Sequence, residues 1–178
     1  IFGLKQDTDY DVKLNLIDPD DGKIEKKLSM KTWKEPEAPL GMVIKYVAPG
    51  KGGGSGSKAD PYLGTKEVIG HLEPGTTFIF QKGSYAPFDI AKSGTLEKPI
   101  IFKGISAIDV VFDGGGDDTT KGSIVTFGGK KHLWFENITF QGMSYALNGN
   151  ESSNIVIRKC KFKKVEKQFD VYISGEVI

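Results

Sequence analysis

The sequence predicts an all-β protein in which short parallel strands stack as a ladder of repeated units. Short runs that alternate apolar and polar residues fill most of the chain, and clusters of Gly, Pro, Asp and Asn separate them. The segment HLWFENITFQG (132–142) recurs as NIVIRKCKFKK (154–164), at an offset of 22 residues. A fixed period of about 20 to 50 residues indicates stacked units that bury their apolar faces on each other.

The apolar positions of the two copies coincide, with Leu133 over Ile155. The same offset of 22 residues places FIF (78–80) over IIF (100–102). Between these two pairs of segments the shift is larger, from position 100 to position 133, so one unit is longer than the others. The polar, Gly-rich segment 113–123 (DGGGDDTTKGS) is the expected source of the extra residues, as a loop outside the ladder.

Each unit has a pattern that predicts two short strands meeting at a bend, with alternate side chains turned inward. The stretch 72–88 (LEPGTTFIFQKGSYAPF) is then the first complete unit, with Gly83 and Tyr85 in the next bend. Because the first edge of such a ladder is open, it needs a cap. The helix-like run 62–72 (YLGTKEVIGHL) is the expected cap.

The segment 1–33 predicts a β-hairpin. YDVKLNLI and KKLSMKTW alternate, and DPDDGK between them has the composition of a turn. Two strands alone do not form a stable domain. The hairpin is therefore expected to be part of a larger sheet structure, and the charged, Pro-containing KEPEAPLG that follows is expected to be a linker.

From about Tyr46 to Ile178 the sequence resembles the right-handed parallel β-helix of secreted carbohydrate-active proteins. The resemblance is carried by YVAPG, GSGSKADPYLGT, LEPGTTFIFQKGSY, GTLEKPIIFKG and DVVFDG, in this order, and by the two repeated units. Many proteins of this architecture are lyases that act on pectin, alginate or similar uronate polysaccharides. Others bind glycans without turnover or are structural proteins of cell surfaces. The resemblance therefore implies an extracellular or cell-surface protein with a polysaccharide partner, and leaves lyase and non-catalytic module as alternatives.

The hairpin, with Leu4, Asp7, Thr8 and Tyr10 before and within it, resembles the last two strands of a fibronectin type III-like β-sandwich. The family's tyrosine corner, in which a Tyr hydroxyl bonds to upstream backbone, maps to Tyr10. The two resemblances together imply three segments. These are the C-terminal part of a sandwich at 1–35, a linker at 36–42, and the N-terminal portion of a parallel β-helix with a short helical cap at 43–178.

The overall charge gives no reason to expect nucleic acid or an anionic membrane as a partner. The chain has 24 Lys and Arg against 23 Asp and Glu, for a net charge of +1, so we expect no nucleic-acid partner. No apolar run approaches the roughly 20 residues that span a bilayer, so we expect no membrane insertion. The single cysteine, Cys160, falls at an inward position and is expected to be a small buried apolar residue.

A uronate lyase needs a base and a cation, often Ca²⁺, that stabilises the developing enediolate. Calcium prefers clustered carboxylates, and the best cluster here is Asp113, Asp117 and Asp118 in the expected loop. The alternative is an ordinary turn, because Asp and Gly are the residues that turns require. In the lyases that the chain resembles, the catalytic groups lie on later units, so we expect none among these residues.

Four residues are candidates for substrate binding. Trp134 is out of phase with Leu133 and Phe135, so it is expected to face outward, either to stack on a sugar ring or to pack under the inserted loop. Arg158, Lys161 and Lys163 alternate with apolar residues and are expected to face outward too. They could pair with the carboxylates of an acidic polysaccharide, although a charge run is more often a solvated face.

Overall fold

A computed structural model describes residues 3–17, 19 and 22–170 of the chain. These residues form an all-β protein that divides into two compact units, Ile1–Ala38 and Pro39–Ile178. Among the described residues there is a single short helix, and no helix is long and apolar enough to cross a membrane.

The first unit is an antiparallel hairpin of β1 (Asp9–Ile17) and β2 (Lys23–Lys31). The predicted hairpin is therefore confirmed, while Asp18, Asp20 and Asp21 of its turn lie outside the described residues. Apolar side chains on the two strands are exposed: Leu14, Leu16, Ile17, Ile24, Leu28 and Met30. The hydroxyl of Tyr10 accepts a hydrogen bond from the backbone N–H of Lys5 at 2.8 Å, which is a bond to upstream backbone of the kind expected.

The second unit contains one helix and fourteen strands in its described part. They are β3 (Val43–Ala48), β4 (Tyr62–Leu63), α1 (Thr65–Gly70), β5 (Thr76–Phe80), β6 (Gly83–Tyr85), β7 (Phe88–Asp89), β8 (Ile100–Gly104), β9 (Val110–Asp113), β10 (Ser123–Thr126), β11 (Lys131–Glu136), β12 (Thr139–Gln141), β13 (Tyr145–Asn148), β14 (Ser153–Arg158), β15 (Lys161–Lys163) and β16 (Lys167–Asp170). All of their pairings are parallel.

These strands form three stacked parallel sheets. The first sheet has the order β14-β11-β8-β5-β3-β4, the second β15-β12-β9-β6, and the third β16-β13-β10-β7. From β5 onward the chain adds one strand to the first, second and third sheet in turn before it returns to the first. The expected ladder of stacked parallel strands is thus confirmed.

Each circuit has three strands, so the expectation of two strands per unit was wrong. The bend assigned to Gly83 and Tyr85 is strand β6 of the second sheet. The sequence did not predict strand β6 because Tyr85 is its only side chain in the core, at 2% exposed, and one inward residue gives no alternation. The Tyr85 hydroxyl lies 2.7 Å from the carbonyl of Gln81 and 3.1 Å from that of Val47, and burial raises the pKa of this phenol.

The offset between the last two copies is confirmed where Leu133 pairs with Ile155, but the offset between the first two copies was wrong. Phe78 pairs with Phe102 rather than with Ile100, so the separation of these two strands is longer than predicted. Both registers turn the same side chains inward, because the side-chain period of a strand is two. The longer register is the one that stacks the rings of Phe78 and Phe102, whose centroids are 5.9 Å apart.

The longer circuit runs from Ile100 to its partner Leu133. The connection 114–122 between β9 and β10 is the expected loop, and its middle residues are exposed. It does not account for all the extra residues, because the connection 105–109 between β8 and β9 is also longer than its counterpart 137–138. The insertion is therefore shared between two neighbouring bends.

The core consists of inward columns of aromatic and aliphatic side chains. In the first sheet Phe102 lies between Phe78 and Phe135, with nearly parallel rings and centroids 5.9 and 5.3 Å away. In the second sheet Phe112 lies between Tyr85 and Phe140, with centroids 5.8 and 5.5 Å away. Offset and edge-to-face contacts of this kind add about 0.5–1.5 kcal/mol each beyond the area that they bury.

The helix is shorter than the predicted run 62–72, because Tyr62–Leu63 forms β4 and pairs with β3. Gly64 separates β4 from α1 with φ +82, and a Cβ there would lie 2.2 Å from the carbonyl oxygen of Gly50. The helix packs on β4 and on β7, the first strand of the third sheet. Its Val68 and the following Leu72 are buried in the core, so it covers the first end of the ladder as expected.

The bend between the first and second sheets uses a left-handed residue in two successive circuits. Asn137 has φ 56 between β11 and β12, and Lys159 has φ 54 between β14 and β15. Asn adopts this conformation more readily than other residues that have a Cβ. The left-handed conformation of the bend therefore suits Asn137 in one circuit and strains Lys159 in the next.

The aromatic column of the first sheet predicts a large loss of stability for Phe102→Ala. Phe102 is fully buried between two rings, so truncation should lower the free energy of unfolding by about 3–5 kcal/mol, as measured by urea denaturation. Ile108→Ala is the control, because Ile108 is 77% exposed and should change the free energy by less than about 0.5 kcal/mol. Equal losses in both variants would show that the column does not carry the fold.

The strained bend predicts that Lys159→Asn stabilises the protein. The variant places at position 159 the residue type found at Asn137 and should raise the free energy of unfolding by about 0.5–1 kcal/mol. Lys161→Asn removes the same charge from strand β15, where Asn is unfavourable, and should not raise it. A gain in both variants would assign the effect to charge rather than to backbone conformation.

Candidate functional site

The outer face of the first sheet is largely closed by its own side chains. Trp134 lies on this face as its phase predicts, but only 9% of it is exposed. It packs with Ile101 and Val156 in a cluster separate from the main core, and Met42 packs against that cluster. Little of its ring is therefore available to a sugar. Sugar stacking by Trp134 stays a prediction.

Next to this cluster, Glu136 forms ion pairs with cations on both neighbouring strands. Its Oε1 lies 3.2 Å from Nη2 of Arg158 and 3.3 Å from Nζ of Lys103. Burial acts to raise the pKa of this carboxyl, but the hydrogen bond from Arg158 and the charge of Lys103 outweigh it and hold the pKa below its usual range. The guanidinium predicted to bind substrate is thus engaged by a carboxylate of the same sheet.

Lys161 and Lys163 lie on a different sheet from Arg158. The left-handed bend at Lys159 turns the chain, so both lysines are exposed on β15 of the second sheet. Among the described residues neither forms an ion pair. The structure therefore does not bring the predicted basic residues together on one surface, and their role in binding stays a prediction.

The outer face of the second sheet is partly covered by the connection 105–109. Thr139 on this face is only 2% exposed, and its hydroxyl donates to the carbonyl of Ala107 in that connection. Two residues further along β12, Nε2 of Gln141 donates to Oδ2 of Asp113 at 2.8 Å. These contacts leave little open surface between β9 and β12.

Two of the three predicted calcium ligands, Asp113 at the end of β9 and Asp117 in the inserted loop, accept hydrogen bonds through their carboxylates. Oδ1 of Asp113 accepts from the N–H of Gly115 at 2.8 Å. Oδ1 of Asp117 accepts from the hydroxyl of Thr119 at 2.6 Å and from its N–H at 3.0 Å, and these bonds lower the pKa of Asp117. Within the described part of the chain, no three His, Cys, Asp or Glu side chains form a group that could hold a metal. The contacts fit the turn alternative, and Ca²⁺ binding by Asp113, Asp117 and Asp118 stays a prediction.

Cys160 packs partly buried against the core, as its phase predicts. Burial raises the pKa of its thiol to about 11. The reactive thiolate is therefore scarce near neutral pH, and the side chain behaves as an apolar residue.

The outer face of the third sheet presents partly exposed polar groups on neighbouring strands. Ser123 and Thr126 stand at the two ends of β10, and Tyr145 and Asn148 stand beside them on β13. Nδ2 of Asn148 donates to Oγ of Ser123 at 3.2 Å, so these side chains share one face. Asp89 precedes Thr126 and Asn148 in the same row and is exposed.

An aromatic ring and a cation complete this surface, which we call the polar face: Asp89, Ser123, Thr126, Tyr145, Asn148 and Lys167. Tyr145 is half-buried, and Nζ of Lys167 on the next strand lies 5.2 Å from the centroid of its ring. The face was missed from the sequence because SIVT and YALN do not alternate. Their two middle residues are both buried, and Ile124 and Ala146 are absent from the regular pairing between the strands.

In its described residues the chain is an all-β protein of stacked parallel sheets, and the third sheet carries the polar face. No protein-family model, no curated protein and no solved structure matches the chain.

The ion pairs of Glu136 predict a pH-dependent contribution to stability. Because its folded-state pKa lies below the unfolded value of about 4.3, this contribution is present above that value and is lost as the pH falls through the folded-state pKa. Glu136→Gln should lower the free energy of unfolding by roughly 1–2 kcal/mol at neutral pH, and the difference from wild type should shrink in acid. Urea denaturation at several pH values measures this difference.

Glu166→Gln is the control, because Glu166 is exposed in the connection between β15 and β16. It should change the free energy by less than about 0.5 kcal/mol at neutral pH. A Glu136→Gln effect that stays constant from neutral to acid pH would contradict the role of the ionised carboxylate.

Proposed function

We propose that residues 43–178 belong to a right-handed parallel β-helix that binds polysaccharide in an extracellular or cell-surface protein. The three-sheet order supports the architecture, since the chain adds strands to the sheets in turn through four described circuits. The inward aromatic columns support it as well, because they form one continuous core along the stack. The hand of the coil, the location and the ligand are parts of the proposal.

The observation that carries the polysaccharide ligand is the polar face of the third sheet. Ser, Thr and Asn side chains both donate and accept hydrogen bonds, as sugar hydroxyls require. The ring of Tyr145 offers an apolar plane with a polar tip, which suits the apolar face of a pyranose. Neighbouring parallel strands lie about 4.8 Å apart, so a polymer lying along the stack meets polar groups from each strand in turn.

An acidic polysaccharide is the first ligand to test. Lys167 beside Tyr145 and the exposed Lys121 in the connection that precedes β10 supply positive charge near the face. Both could pair with uronate carboxylates. The hydroxyl, amide and aromatic groups of the face favour binding over proton abstraction. A non-catalytic glycan-binding module is therefore the function that the geometry supports best, and a lyase is the alternative.

For the first unit we propose the C-terminal part of a fibronectin type III-like sandwich at 1–35, joined by the linker 36–42. The antiparallel pairing of β1 with β2 supports this assignment. The bond between the Tyr10 hydroxyl and the backbone of Lys5 supports it further, because a tyrosine corner is built on such a bond.

The proposal predicts that the protein binds polygalacturonate or alginate and that Tyr145→Ala weakens binding about tenfold through the lost stacking surface. Isothermal titration calorimetry measures the affinity, with an uncharged β-glucan for comparison. Tyr46→Ala is the matched control, since Tyr46 is a partly buried tyrosine at an outward position of the first sheet. It should leave the affinity unchanged.

Absorbance of the same mixtures tests the alternative, because a lyase releases an unsaturated product. Binding without such a product supports the non-catalytic module, and its appearance supports the lyase. Binding on the polar face would be refuted if the protein bound none of the three polymers. It would also be refuted if Tyr145→Ala and Tyr46→Ala lost affinity equally.

A further inference from the structure

The buried hydroxyl of Ser144 holds the connection 114–122 at the start of β13. Ser144 is 5% exposed, and its Oγ lies 3.0 Å from the carbonyl oxygen of Thr120 and 3.2 Å from that of Asp118. Its backbone N–H also donates to the Thr120 carbonyl at 2.8 Å. One serine therefore contacts the far side of the inserted loop through both its side chain and its backbone.

Gly142, two residues before Ser144 in the connection 142–144, contacts the near side of the loop. The N–H of Gly116 donates to the carbonyl of Gly142 at 3.1 Å. Gly142 has φ +81, and a Cβ there would lie 2.9 Å from Oδ1 of Asp113 and 3.0 Å from the carbonyl oxygen of Gly116. This close approach requires glycine, so the connection 142–144 holds the loop at two points while residues 115–119 stay exposed.

The loop held in this way borders the polar face. The N–H of Tyr145 donates to the carbonyl of Gly122, the last residue of the loop, at 3.0 Å. The corresponding connections of the other circuits, 86–87, 142–144 and 164–166, are all shorter. The third sheet is thus bordered at Tyr145 by the longest of its entry connections.

We propose that Ser144 is a positioning residue for glycan binding, because it fixes the loop 114–122 as a wall beside Tyr145. This inference rests on the proposed function. A sugar bound on the Tyr145 ring contacts the wall. When the loop lacks the Ser144 hydroxyl it is less ordered, so the contact is lost unless binding pays the entropy of ordering the loop. Ser144 itself does not contact the glycan.

The test compares Ser144→Ala with Ser152→Ala. Ser152 is a fully buried serine whose hydroxyl donates to the carbonyl of Phe127 at 2.8 Å, in the connections that follow β13 and β10. The two variants lose similar buried bonds, but only the first loses a side-chain contact with the loop. Ser144→Ala should bind the uronate polymer about fivefold more weakly, and trypsin should cleave it faster at Lys121. Ser152→Ala should match wild type in both measurements.

Ser144→Thr keeps the hydroxyl and should restore both affinity and protease resistance. A second variant, in which a short Gly-Ser connection replaces residues 115–120 and leaves Lys121 in place, should bind as weakly as Ser144→Ala while its thermal unfolding stays cooperative. If wild type binds and the Ala or shortened variant binds equally well, the wall is refuted while the polysaccharide function stands. If wild type binds none of the polymers, the proposed function fails and the inference fails with it.

Discussion

The in-register stacking of aromatic side chains is the constraint on which the second unit depends. Phe102 contacts one ring on each neighbouring strand of the first sheet, and Phe112 does the same in the second sheet. No single circuit encloses its own apolar side chains, so each strand is stabilised mainly by the strands before and after it. The register follows from this dependence, because a shift of one residue would turn every ring toward solvent.

The bends follow from the same constraint. To keep the rings in register, the chain must leave the first sheet and enter the second at the same height in successive circuits, and a left-handed residue achieves this in one step. Asn137 suits that conformation and Lys159 does not, yet both adopt it. The longest circuit satisfies the constraint differently, since it places its extra residues in 105–109 and 114–122 and leaves β8, β9 and β10 in register with their neighbours.

Sequence patterns predict the parts of this structure that depend on the alternation of apolar and polar residues. They fail where register or packing depends on a residue that is distant in the sequence. The offset between the last two copies is visible because Leu133 and Ile155 occupy equivalent inward positions. The pairing of Phe78 with Phe102 is not, because registers that differ by one side-chain period have the same pattern. The polar face is hidden for a related reason, since two consecutive inward residues in β10 and β13 remove the alternation that marks a strand. For Trp134, phase predicts the side of the sheet but gives no sign that Met42 packs against its cluster.

Stacking that aligns the core also aligns the side chains on the outside, and the three sheets use this alignment differently. On the first sheet it brings Lys103, Glu136 and Arg158 into one row, where their charges satisfy each other. On the second sheet the connection 105–109 returns over the strands and takes the hydroxyl of Thr139. On the third sheet Thr126 and Asn148 remain partly exposed in one row. An aligned row of partly exposed polar groups is the arrangement that an extended polymer of repeated hydroxyls can match, which is why we propose the third sheet as the binding surface.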